Sequence, residues 1–221
     1  MKKVKPVQRV EFIKKACAGK KVLHLGCTNY PYTEDSIKQN MLLHSELEKI
    51  CGELYGFDYD RKGIDILEEK GFKNLYRADL ENLDDVDLDE KFDVIIAGEM
   101  IEHLSNPGLF LRGIQRFMSR ETDLIITTIN AYCGFRFAVY ALRSKGGWNE
   151  PVHPDHIAYY SYKTLSLVIN REDLDVRDFY FYDVGTEHRE YLHWWYRIVN
   201  DACVKFFPYL TDGIIAVCRI K

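Results

Sequence analysis

The chain has 221 residues, 47% of them hydrophobic and 29% charged, with a net charge of −4 and a pI near 6.0. That length supports one sizeable core and a single domain over 1–221, and the acidic balance argues against a nucleic-acid partner, which a broad basic field would attract. Six scattered cysteines without a Cys-x-x-Cys pair fit reduced thiols better than a disulfide framework or a zinc ribbon, and with neither an apolar leader nor an apolar run near ~20 residues the expectation is a cytoplasmic protein.

Val7, Val10, Ile13 and Cys17 recur at helical spacing and predict a helix over 7–17, closed by Gly19. A short strand, 21–25, runs into Gly26-Cys27-Thr28. Leu42, Leu43, Leu47 and Ile50 mark a helix over 41–50, and a second strand, 53–57, ends at Asp58. A helix over 63–70 and a third strand, 74–77, lead to Ala78 and Asp79. Residues 92–97 are a hydrophobic run bounded by charge, the pattern of a central parallel strand. A helix over 107–118 and a β-branched strand, 123–128, follow. A helix over 162–170 and strands 176–182 and 213–220 complete the set. This alternation predicts an α/β fold: a doubly wound, mostly parallel seven-stranded sheet with its final strand antiparallel.

Two aromatic connections interrupt that rhythm, 130–160 with Phe137, Tyr140 and Trp148, and 187–210 with Tyr191, Trp194, Trp195 and Tyr196. Connections this long within one domain are usually functional, and these are expected to form a cap over the substrate. Three consecutive aromatics cannot all be buried on one side of a helix. At least one of Trp194, Trp195 and Tyr196 should line a substrate surface, a homodimer contact or a membrane-facing patch.

The residues that carry chemistry collect at the carboxyl ends of strands, where open α/β sheets bind ligands. The Gly26 turn lets backbone approach a ligand closely. Asp58 could accept both hydroxyl protons of a ribose, and Asp79 could accept from an exocyclic amine, which together describe a pocket for an adenosine-containing ligand. If a helical turn starts after the fourth strand, Glu99, Glu102 and His103 share one face at i, i+3 and i+4. Two carboxylates and an imidazole would then converge on the crevice.

With Val22-Leu-His-Leu-Gly-Cys27, Tyr55-Gly-Phe-Asp58, Ala78-Asp79, Phe92-Asp-Val-Ile95, Glu99-Met-Ile-Glu-His-Leu104, Thr127-Thr-Ile-Asn130, and His153-Pro-Asp-His156 with Tyr160-Ser161, the chain resembles the class I S-adenosylmethionine-dependent methyltransferases. The resemblance covers Lys21 to about Tyr182. It implies that Gly26 abuts the methionine moiety, Asp58 the ribose, and Asp79 with Leu80 the adenine, with Cys27, Tyr59 and Glu99 also among the cofactor-binding residues. One departure stands out. The glycine-rich turn of that family has an acidic residue where His24 stands and further glycines where Thr28 and Tyr30 stand.

The Glu-x-x-Glu-His sequence is similar to that of small-RNA 2′-O-methyltransferases, which bind a divalent ion with the help of a distant histidine, and of ubiquinone-pathway O-methyltransferases. The resemblance therefore implies Glu99, Glu102, His103 and His156 as ligands of magnesium, manganese, iron or zinc. The residues also admit a general base, His156 first, then His103 and His153. The two schemes share His156, His103 and Glu102 as catalytic residues acting on an acceptor hydroxyl of a small molecule or saccharide. The competing expectations are an RNA 2′-O-methyltransferase and, in another class, a non-catalytic protein that binds an adenosine cofactor.

Overall fold

The computed structural model describes residues 6–143, 153–183 and 193–221. Trp148, Glu187 and Tyr191 of the two aromatic connections lie outside the described residues. Strands β1 (Lys21–Leu25), β2 (Glu53–Asp58), β3 (Leu75–Arg77), β4 (Phe92–Gly98), β5 (Met118–Ile129), β6 (Leu174–Tyr182) and β7 (Gly213–Ile220) form one sheet of order β3-β2-β1-β4-β5-β7-β6. β1 through β5 pair in parallel, and β7 runs antiparallel to both β5 and β6. This is the doubly wound, mostly parallel sheet expected from the sequence.

Side-chain alternation divides the core between the two faces of the sheet. Ile95 and Ala97 of β4 join Leu23, Leu25 and Phe57 against Phe110 of helix α5 (Pro107–Gly113) and Leu165 and Ile169 of α7 (Tyr162–Asn170). Val94 and Ile96 point the other way, packing with Val22 against Ile13 and Cys17 of α1 (Arg9–Cys17) and Leu47 of α3 (Leu43–Glu48). Covered on both faces, β4 has to be apolar from Val94 to Ala97, which is why that stretch reads as an unbroken run after the exposed Asp93. Caps mark the helix starts: the Gln8 side chain accepts from the Val10 and Glu11 amides, and Ser161 and Thr164 form a capping box before α7.

Two elements differ from expectation. The helix expected over 107–118 stops at Gly113, continues as one tight turn to Phe117, and gives way to β5 at Met118. Pairing of Met118 with Phe92 and the Thr122 hydroxyl's bond to the Phe92 carbonyl hold that stretch extended. The helix expected over 41–50 is confined to Leu43–Glu48. Three further helices, α2 (Thr33–Lys38), α6 (Gly134–Arg143) and α8 (Trp194–Phe206), lie where loops were read. Among the described residues, no helix is long and apolar enough to cross a membrane.

The chain ends of several elements are tied to the carboxyl edge of the sheet. The Val7 amide donates to the Phe181 carbonyl (2.8 Å), placing the start of α1 beside the end of β6. Asn130 bridges to Tyr160, and the Ala131 amide donates to the Tyr160 carbonyl (2.8 Å), so the 153–160 segment folds back over β5.

Candidate active site

The turn after β1 has Gly26 at φ +72°, with open space where a Cβ would stand. Its amide and that of Cys27 both donate to the Phe57 carbonyl, at 2.8 and 3.3 Å. Cys27 turns its thiol into a small apolar cluster with Leu42 and Leu67, and burial pushes that thiol well above its ordinary range. Any contact of Cys27 with a ligand in the crevice is therefore through its backbone. Asp58, at the end of β2, accepts from the Thr28 amide and the Thr28 hydroxyl on Oδ2 (both 2.9 Å) and from the Asp60 amide on Oδ1 (3.0 Å). Tyr59 is exposed, with the Arg77 guanidinium 5.1 Å from its ring centre. Asp79 is exposed past β3 and accepts from the Glu81 amide (2.9 Å), while Leu80 is half-buried against the core. Gly26, Asp58 and Asp79 thus stand at the ends of three adjacent strands, with room at Gly26 and acceptor oxygens beside it. This set of acceptors beside an open turn fits an adenosine cofactor.

His24 shares its side of β1 with Val22 and lies buried against His44 of α3, with Nδ1 atoms 3.2 Å apart and rings stacked. One nitrogen donates and the other accepts, so the accepting ring is neutral. Burial, with each other's charge added for His24, holds His24 well below the usual histidine range and His44 down at about 4. The unfolded chain takes up these protons near pH 6.5, so the stabilisation is complete above that pH and is lost as pH falls toward 4. Between pH 7 and 5 the His44 share is about 2 kcal/mol. Urea denaturation of the wild type and of His44→Gln at both values should show the variant losing less stability by about that amount; equal losses would mean the pair is not buried as described.

After β4 the backbone turns sharply. Glu99 adopts φ +51°, and only a short 3₁₀ turn, Ile101–His103, follows. The expected sharing of one helical face by Glu99, Glu102 and His103 is therefore corrected: Glu99, in the left-handed region, lies before the short turn that carries the other two. Its Oε1 accepts from the Tyr182 hydroxyl (2.7 Å), and its Oε2 lies 3.6 Å from Arg9. Glu102 is fully buried. Its Oε2 accepts from the Thr128 hydroxyl of β5 (2.8 Å), while Oε1 is buried with no partner among the described residues. Burial, reinforced by the Glu99 charge, pushes the Glu102 carboxyl up to about 7.

The 153–160 segment completes the cluster. The Ile157 and Ala158 amides donate to the Glu102 carbonyl at 3.0 and 3.2 Å, which brings the His156 ring to 4.6 Å from that of His103. His103 Nδ1 is 3.0 Å from the Asp155 carbonyl. A carbonyl only accepts, so Nδ1 carries a proton, which makes Nε2 the lone-pair nitrogen of the neutral ring. Burial and the two neighbouring histidines lower His156 to about 4. One donor atom each from Glu102, His103 and His156 lie within 4.8 Å of one another. Glu99 is outside this group, and the exposed His153 sits at its rim, its ring 5.0 Å from that of His156.

Thr28, Thr128, Arg9 and Tyr182 were not visible as site residues in the sequence. Their roles depend on which atom each presents to Asp58, Glu102 or Glu99, and no spacing encodes that. The aromatics of α6 and α8 pack on one another, with Phe135 edge-on to Tyr196 at 4.9 Å and Arg143 over the Trp195 and Tyr196 rings. Trp194 faces outward, 65% exposed, while Trp195 and Tyr196 are half-buried.

A family model described as a methyltransferase domain matches residues 8–210. A ubiquinone biosynthesis O-methyltransferase from Bradyrhizobium diazoefficiens is 25% identical over 130 residues, covering 54% of this chain and 51% of that protein. The chain thus aligns with about half the length of that curated relative. Among solved structures, a SAM-dependent methyltransferase from Aquifex aeolicus superposes with a TM-score of 0.58 at 16% identity, covering 97% of this chain and 90% of that one. Magnesium protoporphyrin IX methyltransferase from Synechocystis PCC 6803, solved with bound SAH, gives 0.60 at 12% identity over 96% and 82%. At such identities these two structures speak to the fold.

Proposed function

The chain belongs to the methyltransferase-domain family and is a class I S-adenosylmethionine-dependent methyltransferase, and from that premise we propose that it methylates a hydroxyl oxygen of a small-molecule or saccharide acceptor held at Glu102, His103 and His156. The observation that carries this reading is the buried Glu102 Oε1, which has no partner among the described residues and lies with two imidazoles just past β4. A buried carboxylate oxygen without a hydrogen bond costs several kcal/mol unless a ligand meets it. The relative from Bradyrhizobium is named as an O-methyltransferase, and the net charge of −4 disfavours an RNA acceptor.

When bound, S-adenosylmethionine supplies a methyl on a cationic sulfur, and in-line transfer requires an acceptor oxygen that has given up its proton, held near ~3 Å and aligned. Gly26, Asp58 and Asp79 hold the cofactor, and α6 and α8, as a cap, exclude water from the acceptor. Glu102, His103 and His156 would hold a divalent cation, the two-histidine, one-carboxylate set that suits such ions, and its chemistry there would be to lower the pKa of the acceptor hydroxyl. The lowering of His156 to about 4 favours this over a histidine base: the ring stays neutral, with a lone pair to offer and little appetite for a proton. A second reading rests on Glu102 itself, whose value near 7 suits a metal-free general base.

Turnover should be followed as S-adenosylhomocysteine release with a panel of hydroxylated acceptors. Treatment with a chelator is expected to abolish it, added Mg²⁺ or Mn²⁺ to restore it, and S-adenosylhomocysteine affinity to stay unchanged. Turnover that ignores the chelator and rises through about pH 7 moves the proton to Glu102. A methyl found on nitrogen or carbon of the product refutes the hydroxyl reading.

A further inference from the structure

We propose that Asp58 accepts one ribose hydroxyl of the cofactor rather than both, because Thr28 has taken the other side of its carboxylate. The inference rests on the placement of the ribose at Asp58. An ionised carboxylate offers about four lone-pair sites, two on each oxygen. The Thr28 amide and the Thr28 hydroxyl fill those of Oδ2, and the Asp60 amide takes one on Oδ1. A single site on Oδ1 remains. Asp58 is only 9% exposed, so it cannot turn toward a second hydroxyl without giving up one of these donors.

The arrangement is built into the neighbouring helix. Thr28 stands where the family resemblance puts a glycine, and its side chain needs room. Gly63 of α4 (Arg61–Glu69) provides it: a Cβ at position 63 would lie 2.6 Å from Thr28 Cβ and 2.9 Å from its methyl carbon. The same Cβ would lie 2.5 Å from Asp60 Oδ2, so Gly63 makes room for both the Thr28 side chain and the Asp60 cap of α4. Thr28 is a positioning residue: it fixes Asp58 before the cofactor arrives and restricts what Asp58 can recognise. The enzyme should in consequence read one ribose hydroxyl strongly and be nearly blind to the other at this residue.

Isothermal calorimetry with S-adenosylhomocysteine and its 2′-deoxy and 3′-deoxy forms tests this. One deoxy form is expected to bind about 10–100-fold more weakly, the loss for a hydrogen bond to a charged acceptor, while the other binds like the parent. Thr28→Val removes the hydroxyl donor and frees a site on Oδ2, so the indifferent hydroxyl should become a needed one; Thr28→Ser, which keeps the donor, should retain the wild-type pattern. Equal losses for both deoxy forms in the wild type would overturn the single-hydroxyl inference while leaving the ribose at Asp58. No loss for either would overturn that placement as well. A Thr28→Val protein with the wild-type pattern would show that Thr28 does not set it.

Discussion

Replacing Glu102 with glutamine is expected to lower turnover about 10²–10⁴-fold, the range contributed by a positioned group in proton transfer, and to stabilise the metal-free protein at the same time. The variant keeps the volume of the side chain and an oxygen for the Thr128 hydroxyl, so packing around the turn after β4 is preserved. It loses the charge on the orphaned Oε1, the atom that would hold the cation or, in the second reading, take the acceptor's proton. The stability arm follows from linkage. The Glu102 carboxyl is raised to about 7 in the folded protein, against ~4.3 in an unfolded chain, so its burial destabilises progressively as pH rises from the lower value through the higher. At pH 8 the glutamine variant should be more stable by on the order of 3–4 kcal/mol. Thermal melts at pH 8 together with turnover give both arms. A variant that is inactive and also less stable would indicate that Glu102 is part of the scaffold.

Asp58→Ala is expected to weaken S-adenosylhomocysteine binding by about 1.5–3 kcal/mol, as for a hydrogen bond to a charged group, with a further loss from the turn. The second part arises because the same carboxylate anchors the Thr28 amide and hydroxyl and the Asp60 amide. Without it one backbone donor in the loop after β1, the Thr28 amide, and one in the turn after β2, the Asp60 amide, have to find water, and the Gly26 turn loses its brace. Calorimetry separates this from a change at the acceptor, since Glu102→Gln should leave cofactor affinity as it was. Unchanged affinity in Asp58→Ala would place the ribose elsewhere.

The sheet was legible because its strands are covered on both faces or end in charge. Phe92–Gly98 has no polar interior position except Asp93, and β7 no polar residue before Arg219. The first half of β5 was not legible: Ser119, Arg120 and Glu121 are exposed and look like a loop, and it is the pairing of Met118 with Phe92 that extends them. Helix α2 carries a single apolar residue, Ile37, so no periodicity could mark it. At the site, the gathering of His156 with His103 was suggested by family resemblance, and the physical cause is two amides of the 153–160 segment bonded to the Glu102 carbonyl. The divergence of Glu99 was invisible because a left-handed backbone at a glutamate is set by its surroundings, here Tyr182 and Arg9.

Titration of Mn²⁺ into the S-adenosylhomocysteine complex, followed by electron paramagnetic resonance, tests the proposed cation site at Glu102, His103 and His156 without an acceptor in hand. The wild type is predicted to bind one ion, and Glu102→Gln to lose it while its cofactor affinity by calorimetry stays the same. A wild-type protein that binds no ion, or a Glu102→Gln protein that binds it equally well, would contradict the assignment of Glu102, His103 and His156 as the ion's ligands.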